Sequence, residues 1–207
     1  MRKQLYLFSA LLITVLAFYI MSCNSSDEKP VAASETKTLS QEELIKMGDY
    51  IVTTGACNDC HSPKIMTNMG PVVDSTKLMS GHPANAPLPP IDPRSLQQGN
   101  WISFAPDLTT VVGPWGISYS ANLTPDSATG IGAWSESTFI NTLRTGKHLG
   151  DPNGRPILPP MPWDMFGKKT DADLKAVFAY LKSLPPVSNQ VPAPVSPPDV
   201  MKMVAKK

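Results

Sequence analysis

Proline decides most of what this chain can become. Of its 207 residues 22 are proline, and 21 of those follow His61. Each removes a backbone donor and fixes φ, so helices are confined to the gaps between prolines and long ordered loops must fill the rest. The expectation is a mainly α protein with long Pro-rich loops. Roughly 40 residues at the amino end read as targeting and tether, and the remainder suits one domain with its own core.

Three stretches carry helical signals. Ser40-Gln41-Glu42-Glu43 has the form of a capping box, with Leu39 placed to staple onto Leu44. Leu44, Met47 and Ile51 follow at helical spacing with Tyr50 beside them, which predicts a helix from about Gln41 to Thr54 that Gly55 breaks. Gly48 inside it costs about 1 kcal/mol relative to alanine, a cost that a close crossing of another helix would explain. Ser135 caps a second helix whose apolar face is Phe139, Ile140 and Leu143, and Gly146 ends it. Thr170-Asp171-Ala172-Asp173 opens a third, with Leu174, Val177, Phe178 and Leu181 at i, i+3, i+4 and i+7, stopping at Leu184 before Pro185 and Pro186. Phe178 or Tyr180 is the aromatic expected to cross Gly48.

Residues 62 to 100 show no sustained period and read as loop, with His82 on its surface. Phe104-Ala105-Pro106-Asp107-Leu108-Thr109 echoes Tyr119-Ser120-Ala121-Asn122-Leu123-Thr124. Between the two copies, Gly113-Pro114-Trp115-Gly116 is flanked by Val111, Val112, Ile117 and Tyr119, which suggests a small β-hairpin. Residues 187 to 207 read as an extended Pro-rich tail.

The amino end addresses the chain. Arg2 and Lys3 precede an uncharged apolar run through Ile20, the pattern of an export signal over residues 1 to 22. Ile20-Met21-Ser22-Cys23 resembles the lipobox of bacterial lipoproteins, which makes Cys23 the expected lipidation site. The alternative is an uncleaved transmembrane anchor; either tethers the domain to a bacterial membrane, outside the cytoplasm on the periplasmic side. Residues 23 to 38 are a polar, flexible tether, and the domain proper spans 39 to 186. Removing residues 1 to 22, which hold Arg2 and Lys3 and no acid, takes the formal charge from +1 to −1, so nothing here recruits nucleic acid.

The chemistry is concentrated in Cys57-Asn58-Asp59-Cys60-His61. Two thiols separated by two residues, with a histidine directly after the second, are what covalent haem attachment requires: each thiol adds to one vinyl group, and the imidazole reaches the iron. A zinc site would have only His82 and His148 to complete it, and a redox dithiol would follow a strand rather than a helix. With Cys57 and Cys60 committed and three cysteines in all, no disulfide framework remains. Gly70-Pro71 is placed for the Pro71 carbonyl to accept a hydrogen bond from the outer imidazole nitrogen of His61.

The second axial ligand decides between electron transfer and chemistry on a small molecule. Met66, Met69, Met79, Met161 and Met165 compete for it. Met161 stands between prolines that restrict its backbone, so its thioether can be aimed at little ordering cost; Met165 is the runner-up. A thioether is soft and neutral, favours ferrous iron and leaves no vacant position. Arg144 either satisfies helix-end carbonyls or reaches a haem propionate.

Taken together, Gly55-Ala56-Cys57-Asn58-Asp59-Cys60-His61, Asn122-Leu123-Thr124-Pro125-Asp126, Thr129-Gly130-Ile131-Gly132, Trp134, Arg144-Thr145-Gly146, Pro160-Met161-Pro162 and the ending Tyr180-Leu181-Lys182-Ser183-Leu184 resemble class I c-type cytochromes. The likeness covers about residues 41 to 188 and is greatest to single domains of the multihaem cytochrome subunits of membrane-bound alcohol and sugar-acid dehydrogenases. It implies a small bundle around one haem c, with Cys57 and Cys60 as thioether anchors and His61 and Met161 as axial ligands. It also carries Asn122, Trp134 and Arg144 over as residues around the haem. The chain departs from that family in having one attachment motif, and in the long insertion between His61 and Asn122. The function implied is single-electron transfer rather than catalysis, between redox partners such as a dehydrogenase, a cytochrome complex or a terminal oxidase. The alternatives are a haem sensor or enzyme with a labile sixth ligand, and a metal-binding or structural lipoprotein with no covalent haem.

Overall fold

A computed structural model describes residues 39–206; the expected signal peptide, Cys23 and the tether lie outside the described residues. Helix α1 (Gln41–Thr54) begins where the capping box places it. Ser40 Oγ accepts from the Glu43 N–H at 3.2 Å, and the Glu43 carboxylate accepts from the Ser40 N–H at 2.8 Å. A short helix, α2 (Cys57–His61), follows. Helix α3 (Glu136–Thr145) is capped by Ser135 and ends at Gly146, whose φ of 65° closes the last turn. After a four-residue α4 (Trp163–Phe166), helix α5 (Asp171–Ser183) opens on a second capping box, Thr170 with Asp173.

Helices α1 and α5 cross at Gly48. A Cβ there would lie 2.0 Å from the Ala176 carbonyl oxygen and 2.7 Å from Tyr180 Cβ, so only glycine permits this approach. Tyr180 therefore meets Gly48, whereas Phe178 turns to Phe139 of α3 with ring centroids 5.4 Å apart. Ile51, Val52, Ile131, Leu143, Leu174, Val177 and Leu181 fill the space between these helices. Each such side chain contributes about 1.5–3 kcal/mol on burial.

Residues 62–100 are not structureless. Strands β1 (Lys64–Thr67) and β2 (Gly70–Val73) form a hairpin with Ile65 opposite Val72 and Met66 opposite Pro71. Most of its side chains are exposed, so it leaves no apolar/polar alternation to read. The expected second hairpin is present as β4 (Thr110–Gly113) and β5 (Gly116–Tyr119), turning at Pro114-Trp115, and a short β3 (Ser103–Phe104) pairs with β4.

The carboxyl-terminal segment differs from the extended tail expected for it. Val195 bridges Ile117 of β5, and Pro197–Ala205 then forms helix α6. Its two leading prolines sit in the first turn, where no N–H is needed. Val200 is fully buried with Ile117 and Val112, while Val204, Leu88, Ile91 and Leu96 pack around them as a second core. So brief a helix shows little period of its own; the partner surface on β5 holds it.

Candidate haem site

Helix α1 stops at Gly55, as expected, and the next residue, Ala56, takes the left-handed conformation (φ 56°, ψ 27°) before α2. The Gly55 N–H closes α1 on the Ile51 carbonyl, and a Cβ there would press against that oxygen at 2.8 Å and the Phe166 ring at 3.1 Å. The single turn of α2 then brings Cys57 and Cys60, three residues apart, to one side of the helix. Both are free and half-buried, and burial pushes both thiols above their ordinary pKa. The Lys64 ammonium donates to the carbonyls of Asn58, Asp59 and Ser62, satisfying the otherwise unpaired end of α2.

His61 is buried, and its Nδ1 lies 2.8 Å from the Ala121 carbonyl oxygen. That oxygen can only accept, so Nδ1 carries the proton and Nε2 the lone pair. Among the described residues Nε2 has no hydrogen-bond partner, and no polar side-chain atom is both enclosed and unpartnered; Nε2 therefore faces accessible space. Burial lowers the imidazole pKa, which keeps the ring neutral and able to ligate. Pro71 is not the acceptor. It lies in β2 opposite Met66, in the hairpin that leaves α2.

The Ala121 carbonyl is itself held. The Gly81 N–H donates to the His61 carbonyl at 2.8 Å, the His82 N–H to the Ser120 carbonyl at 2.9 Å, and the Leu123 N–H to the Met79 carbonyl at 2.8 Å. Residues 79–82 are thus a splint between α2 and residues 120–123, and the Met79 N–H also donates to Ser62 Oγ. This splint gives residues 79–82, in the long segment between His61 and Asn122, a structural role. Asn122, expected at the haem, has its side chain spent on the protein. Its amide donates to Thr129 Oγ1 and the Val187 and Asn189 carbonyls, and its oxygen accepts from the Thr124 N–H and hydroxyl. Asn122 positions the neighbouring Ala121 carbonyl instead. Asn189, in the segment expected to be an extended tail, grips the splint by donating to the Ser80 and His82 carbonyls and accepting from the Ala84 N–H.

Of the five competing methionines, Met66, Met69 and Met165 are 60%, 98% and 61% exposed, and Met79 is enclosed in the core at 1%. Met161 is half-buried against the core, in a loop tied to β5 by the Ser118 hydroxyl on the Pro159 carbonyl at 2.8 Å. Trp134 is partly buried, edge-on to His148 at 5.8 Å. Arg144 does not bond the carbonyls of its own helix end: it donates to the Gly167 carbonyl and pairs with Asp171 at 2.6 Å, joining the end of α3 to the start of α5.

No family model matches the chain. Over 161 residues, 75% of its length, it is 29% identical to the gluconate 2-dehydrogenase cytochrome c subunit of Pantoea cypripedii. Over 154 residues, 74% of its length, it is 27% identical to the cytochrome c subunit of the quinone-type alcohol dehydrogenase of Gluconobacter oxydans. Over 124 residues, 49% of its length, it is 28% identical to the fructose dehydrogenase cytochrome subunit of Gluconobacter japonicus. The chain is a distant relative of dehydrogenase cytochrome c subunits. It spans about a quarter of the length of each of these three proteins (28%, 24% and 25%).

The residues present fit the haem that such cytochromes carry. Two thiols on one helical turn and a neutral imidazole with Nδ1 engaged and Nε2 free form the donor set that covalent attachment and axial ligation demand. They do not fit zinc: among the described residues no group of three His, Cys, Asp or Glu side chains could hold a metal ion. His82, expected on a loop surface, is buried.

Proposed function

We propose that this chain is a monohaem cytochrome c of class I type that passes single electrons and catalyses no reaction of its own. One haem c is held by thioether bonds to Cys57 and Cys60, with His61 and Met161 as axial ligands. The observation that carries this reading is the His61 imidazole, buried on the helix that bears both thiols and pinned through Nδ1 to Ala121 with Nε2 free. Bound haem supplies a one-electron iron couple. The Ala121 carbonyl keeps the ring in one tautomer and raises its basicity. Met161, in a proline-restricted loop, supplies the soft ligand that closes the iron to small molecules. Export and lipidation at Cys23 tether the domain to a bacterial membrane on the periplasmic side; among the described residues no helix is long and apolar enough to cross one. Because its relatives are cytochrome c subunits of dehydrogenases, a dehydrogenase is the proposed donor, with a cytochrome complex or terminal oxidase as acceptor.

The test is expression in a host that attaches haem. The expected product keeps one haem on a denaturing gel, is low-spin, shows a methionine-to-iron band, and when reduced does not bind carbon monoxide promptly at neutral pH. Met161→Ala should abolish that band while Met165→Ala leaves it; the reverse result moves the ligand to Met165. Prompt carbon monoxide binding would replace the electron carrier by a haem sensor or enzyme with a labile sixth ligand. Cys23→Ser should release the protein from the membrane fraction.

A further inference from the structure

The loop that carries Met161 has few means of attachment. Of residues 158–162, Pro159, Pro160 and Pro162 have no N–H to donate and have a fixed φ, so the segment moves largely as one piece and depends on its carbonyls to hold it. The chain enters it at Ile157, whose N–H donates to the Gly146 carbonyl at 2.8 Å, and leaves it at Trp163, whose N–H donates to the Met161 carbonyl at 2.9 Å. Between those points, among the described residues, one hydrogen bond ties the segment to another element of the fold. It is the Ser118 hydroxyl on the Pro159 carbonyl, 2.8 Å apart across a chain separation of 41 positions.

Ser118 is a buried position of β5, opposite Val111, where a β-branched apolar side chain would suit the strand better than a hydroxyl that must find a partner. Its geometry sends that hydroxyl to the loop. The Trp115 indole N–H donates to Ser118 Oγ at 3.3 Å, which occupies a lone pair and leaves the hydroxyl proton for an acceptor. The Val111 carbonyl stands at 3.4 Å and the Pro159 carbonyl at 2.8 Å, so the proton goes to Pro159. Nor can β5 follow the loop if the loop moves. Ile117 and Val195 exchange N–H···O bonds of 2.9 and 3.0 Å on its outer side. We propose that Ser118 is a positioning residue for the sixth haem ligand: its hydroxyl, oriented by Trp115, holds the Pro159 carbonyl, and displacing Met161 from the iron breaks that bond. The proposal rests on Met161 being the axial ligand, as proposed above.

The test uses the full chain, haem-loaded and ferric, titrated with imidazole, which must displace the methionine to bind; the methionine-to-iron band reports the displacement. Ser118→Ala should lower the imidazole midpoint about two- to ten-fold, the worth of one ordinary hydrogen bond. Trp115→Phe, which removes only the donor that orients the hydroxyl, should shift the midpoint the same way by about two-fold, and it decides if Ser118→Ala does not fold. Ser103→Ala is the control. It removes a hydroxyl from the same sheet, paired with Ser95 Oγ at 2.7 Å and not with the loop, and should leave the midpoint where it is. An unchanged midpoint in Ser118→Ala, or an equal shift in Ser103→Ala, overturns the proposal while Met161 stays the ligand, provided Met161→Ala abolishes the band. A band that survives Met161→Ala overturns the ligand reading and this proposal together.

Discussion

Gly81→Ala tests the splint behind His61 directly. Gly81 has a φ of 76°, and a Cβ there would lie 2.5 Å from the Ser120 carbonyl oxygen, 2.6 Å from the Ala121 carbonyl carbon and 2.7 Å from its oxygen. Left-handed backbone costs an alanine about 1–2 kcal/mol. Overpacking against backbone that cannot rotate away adds about 1–3 kcal/mol. The sum is about 2–5 kcal/mol, and for a domain of this size each kcal/mol lowers Tm by about 2–4 °C. A fall of at least about 4 °C is expected in thermal unfolding followed by far-UV circular dichroism. The strain falls on the carbonyl that accepts from His61 Nδ1, so a functional readout accompanies it. A weakened bond makes the imidazole a poorer donor, which disfavours ferric iron, and the midpoint potential of the haem-loaded variant should rise. A Tm within about 1 °C of wild type together with an unchanged potential would refute the reasoning, because it would mean that residues 120–121 can retreat without loosening His61.

Three further outcomes follow from the same packing. Gly48→Ala gains about 1 kcal/mol of helix propensity but drives a methyl into the Ala176 carbonyl at an overpacking cost of about 1–3 kcal/mol, so a net loss of up to about 2 kcal/mol is expected in denaturant unfolding; a gain would show that α1 and α5 separate freely. Asn189→Ala removes three hydrogen bonds to residues 80–84, at about 1 kcal/mol each, and should speed amide exchange at Gly81 and His82 more than in α5. Asp126 accepts from the Thr129 hydroxyl and N–H and the Ala128 N–H, which holds its pKa below the ordinary 3.8. Its contribution is therefore present above that value and lost as pH falls through the folded pKa. Asp126→Asn should flatten the fall of Tm in that acid range, and an unaltered slope would discount the carboxylate.

How much of this is legible in the residues alone depends on the range of the interaction. Helices α1, α3 and α5 carry their stop and start signals within four residues, as Ser40 with Glu43 and Thr170 with Asp173 do, so their bounds can be read directly. The donor set is legible for the same reason, since Cys57, Cys60 and His61 belong to one helical turn. What lies behind His61 is not. Its acceptor is a backbone carbonyl 60 positions away, a group every residue possesses, and nothing in the identity of Ala121 marks it. Resemblance points to Asn122 as a haem neighbour, yet its amide turns toward Val187 and Asn189 instead of the site.

The sequence by itself determined which elements form locally and which atoms are available as ligands, because capping, periodicity and motif spacing act through neighbours along the chain. Only the tertiary structure decided that residues 79–82 splint Ala121 against His61 and that Asn189 clamps the splint. It likewise decided that α6 folds onto β5 and that His82 is buried. Those outcomes depend on surfaces and carbonyls far apart in the chain, whose pairing carries no local signature until packing brings them within hydrogen-bonding distance.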